Sequence, residues 1–227
     1  MTRRGFSLLE VIVVCALMGF VMGGVFLLFR MGTRGFSRAV SESGAVGELQ
    51  RATRVIQRDL RLTHFLSASD RQREVTTSDG KVERDGLAVA GLANWADPSN
   101  FEVGTELPKW NRWILFYADG EDKGRLHRLE IQRSRNAKGS YYPLVPLGDL
   151  SSYMTSDPVQ QEVALRVSTL CYQLRSFGVE IDPYKRLLRL TVRLNKDGVK
   201  RMTSEQRVQD SLEARFEISP MNSYPEI

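Results

Sequence analysis

The chain has 227 residues, 32 of them basic and 27 acidic, for a formal charge of +5. That length holds one ordinary domain plus an anchor, and so mild a positive balance is only a faint pointer to a polyanionic partner. The two cysteines, Cys15 and Cys171, lie too far apart in sequence to suggest a disulfide framework and read as isolated buried thiols.

The first element is apolar. The opening MTRRGFSLLEVIVV places Arg3, Arg4 and Gly5 before a run from Leu8 to Phe29 whose one charge is Glu10. As a helix this run spans about 33 Å, enough for a hydrocarbon core of about 30 Å. The basic leader suits a cytoplasmic N-terminus, although Arg30, Arg34 and Arg38 beyond the run weaken that argument. No small-residue cleavage site follows the run; the small residue, Gly5, precedes it. Within it, Gly19 and Gly23 form a GxxxG spacing, with Gly24 alongside. Close helix packing, local loosening of the helix and incidental glycines all fit.

The stretch Arg4-Gly5-Phe6-Ser7-Leu8-Leu9-Glu10 resembles the class III signal of type IV prepilins and pseudopilins. The resemblance implies cleavage after Gly5 by a membrane prepilin peptidase, guided by the leader charges Arg3 and Arg4, and N-methylation of Phe6. It also implies a role for Glu10, which in a filament pairs with the Phe6 amine of a neighbouring subunit. A lone carboxylate at membrane depth costs about 2.5–3.5 kcal/mol, so such pairing favours assembly and sets axial register. The plainer reading is a glutamate near a helix N-terminus, stabilised by the macrodipole and snorkelling to the headgroups.

The helical period continues through Phe36, Val40, Ser43, Val46, Leu49, Thr53, Ile56 and Leu60, with Glu48, Arg51, Arg54, Arg58 and Arg61 on other faces. Gly32, Gly35, Gly44 and Gly47 leave open whether this is one unbroken rod. VIQRDLRLT (Val55–Thr63) resembles the end of the long N-terminal helix of pseudopilin-like proteins. The arginine row fits DNA binding only weakly, since arginines on a solvated helix face are ordinary.

After Leu66, SASDRQREVTTSDGKVERDG reads as polar and turn-rich, with Asp79-Gly80 and Asp85-Gly86 as turn signals. A short strand over Leu87–Ala90 follows. Residues 91–111 read as an irregular loop anchored by Trp95 and Trp110. WILFYA (Trp113–Ala118) suits a central strand, and a hairpin returns through Arg125–Gln132. A strand over Ser168–Phe177 would place Leu170, Tyr172 and Leu174 on one face. Leu187–Leu194 and Leu212–Ile218 alternate, the latter with Leu212, Ala214, Phe216 and Ile218 on one face. Period two with one polar face predicts an antiparallel sheet covered on one side by the long helix, an α+β fold.

The order of WILFYADGEDKGRLHRLEI, YYPLVPLGDL, VALRVSTLCYQLRSF and LLRLTVRL resembles minor pilins of the PilW type and J-type minor pseudopilins. Residues 1–5 are then a leader, 6–30 a transmembrane and assembly helix, 31–66 an amphipathic continuation and 67–227 a periplasmic domain. The implied function is a minor pilin-like subunit that helps initiate or cap a type IV pilus. The alternatives are a minor pseudopilin of type II secretion, or a DNA-binding or adhesive subunit on such a filament. The implied partners are the peptidase, other minor pilins or pseudopilins, the major pilin, the inner-membrane assembly platform and membrane lipid. The implied location is the inner membrane, single-pass with the C-terminal domain periplasmic, then the pilus or pseudopilus, with the cell surface reached at its tip.

No GxSxG or phosphate-cradling loop occurs, and neither an enzyme nor a cofactor is expected. His64 and His127 lack metal-ligand spacing and read as surface or satisfied histidines. Asp119, Glu121 and Asp122 lack the EF-hand pattern and read as a solvated turn, with no metal.

Overall fold

The computed structural model describes residues 8–78, 80–137, 140–141, 143–155, 164–195 and 211–222; within the first helix the side chains at 34, 37, 38, 41 and 42 lie outside the description. Helix α1 runs Leu8–Leu62 without a break at its glycines. The chain divides into two units after Gly44.

The first unit contributes Leu8–Gly44 of α1, and its large apolar side chains from Leu8 to Val40 are exposed. The second unit is α+β. Its strands are β1 (Ser69–Arg71), β2 (Glu74–Thr77), β3 (Gly80–Glu83), β4 (Gly86–Gly91), β5 (Arg112–Ala118), β6 (Gly124–Gln132), β7 (Ala164–Asp182), β8 (Leu187–Asn195) and β9 (Ser211–Ile218). Seven of them form an antiparallel sheet in the order β1-β4-β5-β6-β7-β8-β9, and β2 pairs with β3 alone.

Ala52, Ile56 and Leu60 of α1 are fully buried against one face of the sheet, among them Phe116, Leu174, Phe177 and Leu190. Their three- and four-residue spacing puts them on one stripe. The helix ends where Thr63 Oγ1 donates to Ala90 O at 2.5 Å. His64 then caps a short 3-10 turn, accepting from Leu66 N through Nδ1 at 3.2 Å. The segment after β9 returns to the helix end: Met221 N donates to Arg61 O at 2.9 Å and Asn222 Nδ2 to Leu62 O at 2.6 Å. These bonds satisfy carbonyls that a helix C-terminus leaves without an intrahelical partner.

A second core lies on the opposite face of β4–β6. Ala88, Trp113, Leu115, Tyr117 and Leu129 pack there under Leu150 and Met154, with Leu144, Leu147 and Tyr153 partly buried around them. Arg133 ties this cover down: Nη1 donates to Trp110 O at 2.8 Å, Nη2 to Pro143 O at 3.1 Å, and its guanidinium lies 5.1 Å from the Trp113 ring centroid. The sheet is therefore covered on one side at β8–β9, as expected there, but on both sides at β4–β6.

Three local readings need correction. The polar stretch after Leu66 contains β1 and the β2–β3 hairpin, because a short two-stranded ribbon on the surface needs no apolar alternation. Asp85-Gly86 is not a turn: Asp85 is buried, accepting Arg73 N at 3.0 Å and Val179 N at 2.9 Å, and Gly86 opens β4. Tyr172 does not share a face with Leu170 and Leu174. The β6–β7 register shifts near Leu126, Gln173 takes a positive φ of 54°, and Cys171 turns inward while Tyr172 is exposed. An extra residue in one strand exchanges the faces beyond it. Trp95 and Trp110 do anchor the 91–111 loop, half-buried with ring centroids 6.0 Å apart.

Candidate functional site: the N-terminal apolar segment

The segment Leu8–Thr33 is long and apolar enough to cross a membrane, and none of it is buried. In water such exposure opposes solubility, so the surface calls for lipid or other helices as its surroundings. Glu10 lies in the first turn of α1, where the helix dipole favours an anion, and it is exposed. A Cβ built on Gly19, Gly23 or Gly24 meets nothing within 4 Å, so close approach of another helix is sterically open along that stripe. Arg3, Arg4, Gly5 and Phe6, the expected leader charges and cleavage and methylation site, lie outside the described residues.

Residues 1–26 match the prokaryotic N-terminal methylation motif. This motif is typical of type IV prepilins and pseudopilins and implies processing by a prepilin peptidase. It spans the leader, Phe6, Glu10, Gly19 and Gly23 and stops well before the sheet. No curated protein and no solved structure matches the chain. The subtype resemblance in the sheet domain therefore rests on the order of its elements alone.

The second unit holds charged clusters that the sequence did not announce. Asp119 is fully buried rather than solvated. Its Oδ2 takes Arg125 Nε at 2.6 Å and lies 3.4 Å from His127 Nε2, while Oδ1 accepts Arg125 N at 2.9 Å and lies 3.8 Å from Arg84 Nη1. Burial pushes this carboxyl up, but the bonds from His127 and Arg125 outweigh it and hold it at about 2. Arg84 is itself buried, which lowers its pKa; Nε donates to Arg175 O at 3.0 Å and Nη1 to Asp119 O at 3.3 Å. Gly124 makes room for it, since a Cβ there would sit 1.3 Å from Arg84 Nη1. His127 is satisfied as well, its Nδ1 lying 3.3 Å from Thr169 Oγ1.

A separate buried pair joins helix to sheet: Arg128 Nε donates to Asp59 Oδ2 at 2.6 Å, and Arg128 Nη1 also contacts Glu130. Burial opposes the Arg128 charge, but Asp59 and Glu130 overcome this and raise its pKa. QRDL in the helix offered a signal for Asp59, an acid on the otherwise apolar stripe. Its partner in β6 was not legible, because cross-element pairing depends on register. Burial likewise pushes the Cys171 thiol up to about 12, which leaves it protonated and inert; Cys15, expected to be buried, is instead exposed on the apolar surface of α1, and both thiols are unpaired.

These clusters are closed. An Asp–His–Thr chain could suggest nucleophilic catalysis, but Asp119 is saturated by arginines and backbone amides, and His127 is 2% exposed. Among the described residues, no group of three or more His, Cys, Asp and Glu is arranged to hold a metal. The arginines at 51, 54, 58 and 61 are exposed along α1, as a solvated helix face would be.

Proposed function

We propose that the chain is a minor pilin-like structural subunit that helps initiate or cap a type IV pilus after prepilin peptidase processing. The observation that carries the reading is the methylation motif over residues 1–26, which runs into an apolar helical segment, Leu8–Thr33, none of which is buried. In this reading residues 1–5 are removed and Phe6 becomes the methylated N-terminus. Residues 6–30 anchor the chain in the inner membrane, and 31–66 lead into the periplasmic domain of 67–227. Gly19 and Gly23 let neighbouring subunit helices approach, and Glu10 meets the Phe6 amine of the next subunit. The chain's partners are the peptidase, the assembly platform, membrane lipid, the major pilin and other minor subunits. The motif serves secretion pseudopilins equally, so deleting the gene and scoring piliation and protein secretion together separates those machines. DNA on the exposed arginine face is tested by salt-dependent binding.

Mass spectrometry of membrane-extracted protein should find a methylated Phe6 terminus, and an intact leader in cells with active peptidase would overturn the reading. Glu10→Ala should still insert and be cleaved, since it removes a desolvation cost. It should co-purify poorly with the other minor subunits, with Glu10→Asp intermediate. Normal recruitment of Glu10→Ala would leave the glutamate as a snorkelling or processing feature.

A further inference from the structure

The two edges of the large sheet are built differently. β1 is three residues long, and so short a strand offers little to pair with. β9 has eight residues, pairs with β8 from Leu188↔Ile218 to Asn195↔Ser211 without a register break, and has no proline, no lysine and no inward-pointing charge. Of the usual devices that stop an edge strand from accepting another, β9 carries the charged side chains Glu213, Arg215 and Glu217 but, within its own residues, no proline, lysine or bulge. Among the described residues nothing pairs with its outer side.

The side chains of β9 specify what would fit. Toward the helix-covered face, Leu212, Ala214 and Phe216 are only half-buried, so the core is incompletely covered along this edge. On the other face a charge ladder crosses from β8: Arg193 Nε donates to Glu213 Oε2 at 2.7 Å and Arg189 Nε to Glu217 Oε1 at 2.8 Å. Between them Arg215 stands opposite Thr191, so β8 places no carboxylate across from it; its contact is Glu213 of its own strand, which Arg193 also holds, and its side chain is 69% exposed.

We propose that the outer edge of β9 receives an extended strand of a different protein. That strand alternates apolar residues toward Leu212, Ala214 and Phe216 with a base–acid–base row, its acid opposite Arg215 and its bases opposite Glu213 and Glu217. Backbone hydrogen bonds supply the affinity, and the charge row supplies register and selectivity. The inference rests on the sheet alone and stands whether or not the chain belongs to a pilus.

The test is amide hydrogen exchange on the full chain in detergent micelles, with a short blocked peptide alternating valine with a lysine–glutamate–lysine row. Outer-edge amides of β9 should exchange quickly without peptide and slow on its addition, while β5 stays protected throughout. A glutamate–lysine–glutamate peptide should bind about tenfold more weakly. Arg215→Glu, at a side chain 69% exposed, should reverse that preference, with near-UV circular dichroism checking that the sheet domain is folded. Three results would overturn the proposal. The peptides could bind equally, neither could slow β9, or β9 could already be protected without peptide. In the last case, loss of protection on dilution would identify a second copy as the occupant, and persistence would identify the chain's own residues.

Discussion

β4–β6 and β8–β9 belong to one sheet and solve opposite problems. β4 and β5 are covered on both faces, and every residue from Gly86 to Gly91 and from Trp113 to Ala118 is buried. β8 is covered on one face and alternates strictly between half-buried and buried. The same chemistry, an arginine facing a carboxylate, therefore has different weight in the two halves. Arg84, Arg128, Asp59 and Asp119 are nearly inaccessible, whereas Arg193, Arg215 and Glu217 reach water. Buried ions cost desolvation that only complete pairing offsets, while exposed ones exchange one hydrated partner for another.

The largest expected effect comes from breaking the closed half. Asp119→Ala should destabilise the sheet domain by about 3–5 kcal/mol, because it strands the Arg84 charge in the interior. Denaturant unfolding of the full chain in micelles, followed by near-UV circular dichroism, reads it. A loss no larger than that of an exposed pair would mean the buried cluster is hydrated and the contrast between the halves is false.

A smaller effect on the same centre follows from pH. The Asp119 carboxyl is held at about 2, below its ordinary 3.8. An acid with a depressed folded pKa contributes stability above its unfolded pKa and loses it as pH falls through the folded one. That contribution, on the order of 2 kcal/mol, should fade between about pH 4 and about pH 2. Asp85 works in the other direction, since burial raises its pKa and protonation relieves that cost as pH falls. Asp119→Asn should therefore flatten the acid limb of stability. An unchanged limb would assign acid unfolding to other carboxylates.

What could be read in advance follows the same division. The alternation in Leu187–Leu194 and Leu212–Ile218, the apolar run WILFYA and the stripe through Ile56 and Leu60 each record burial residue by residue, and the structure has them where periodicity puts them. The N-terminal segment was legible because its signal is local and contiguous. The buried ionic centre was not. Asp119, Arg125 and His127 share the β5–β6 hairpin, but Arg84 comes from a distant stretch, and the missing side chain at Gly124 gives it room beside them. In sequence, ADGEDKG has the composition of a solvated turn, and no local pattern marks the one acid in it that faces inward.

The smallest expected effect lies on the open half and gives the comparison its baseline. Glu213 accepts from Arg193 and also contacts Arg215, and those two partners keep its carboxyl below the usual range, hydrogen bonds from Arg193 being the main cause. Its side chain is 30% exposed, and both partners are more exposed still. Water and salt therefore stand in readily for either arginine. Glu213→Ala should cost less than about 1 kcal/mol at low salt, and added salt should shrink the difference further. The Asp119→Ala loss should persist in the same salt series, because ions do not screen a pair they cannot reach. If Glu213→Ala matched Asp119→Ala in size and salt resistance, the β8–β9 ladder would have to be covered in the folded protein, and its outer face could not be the solvated surface its alternation describes.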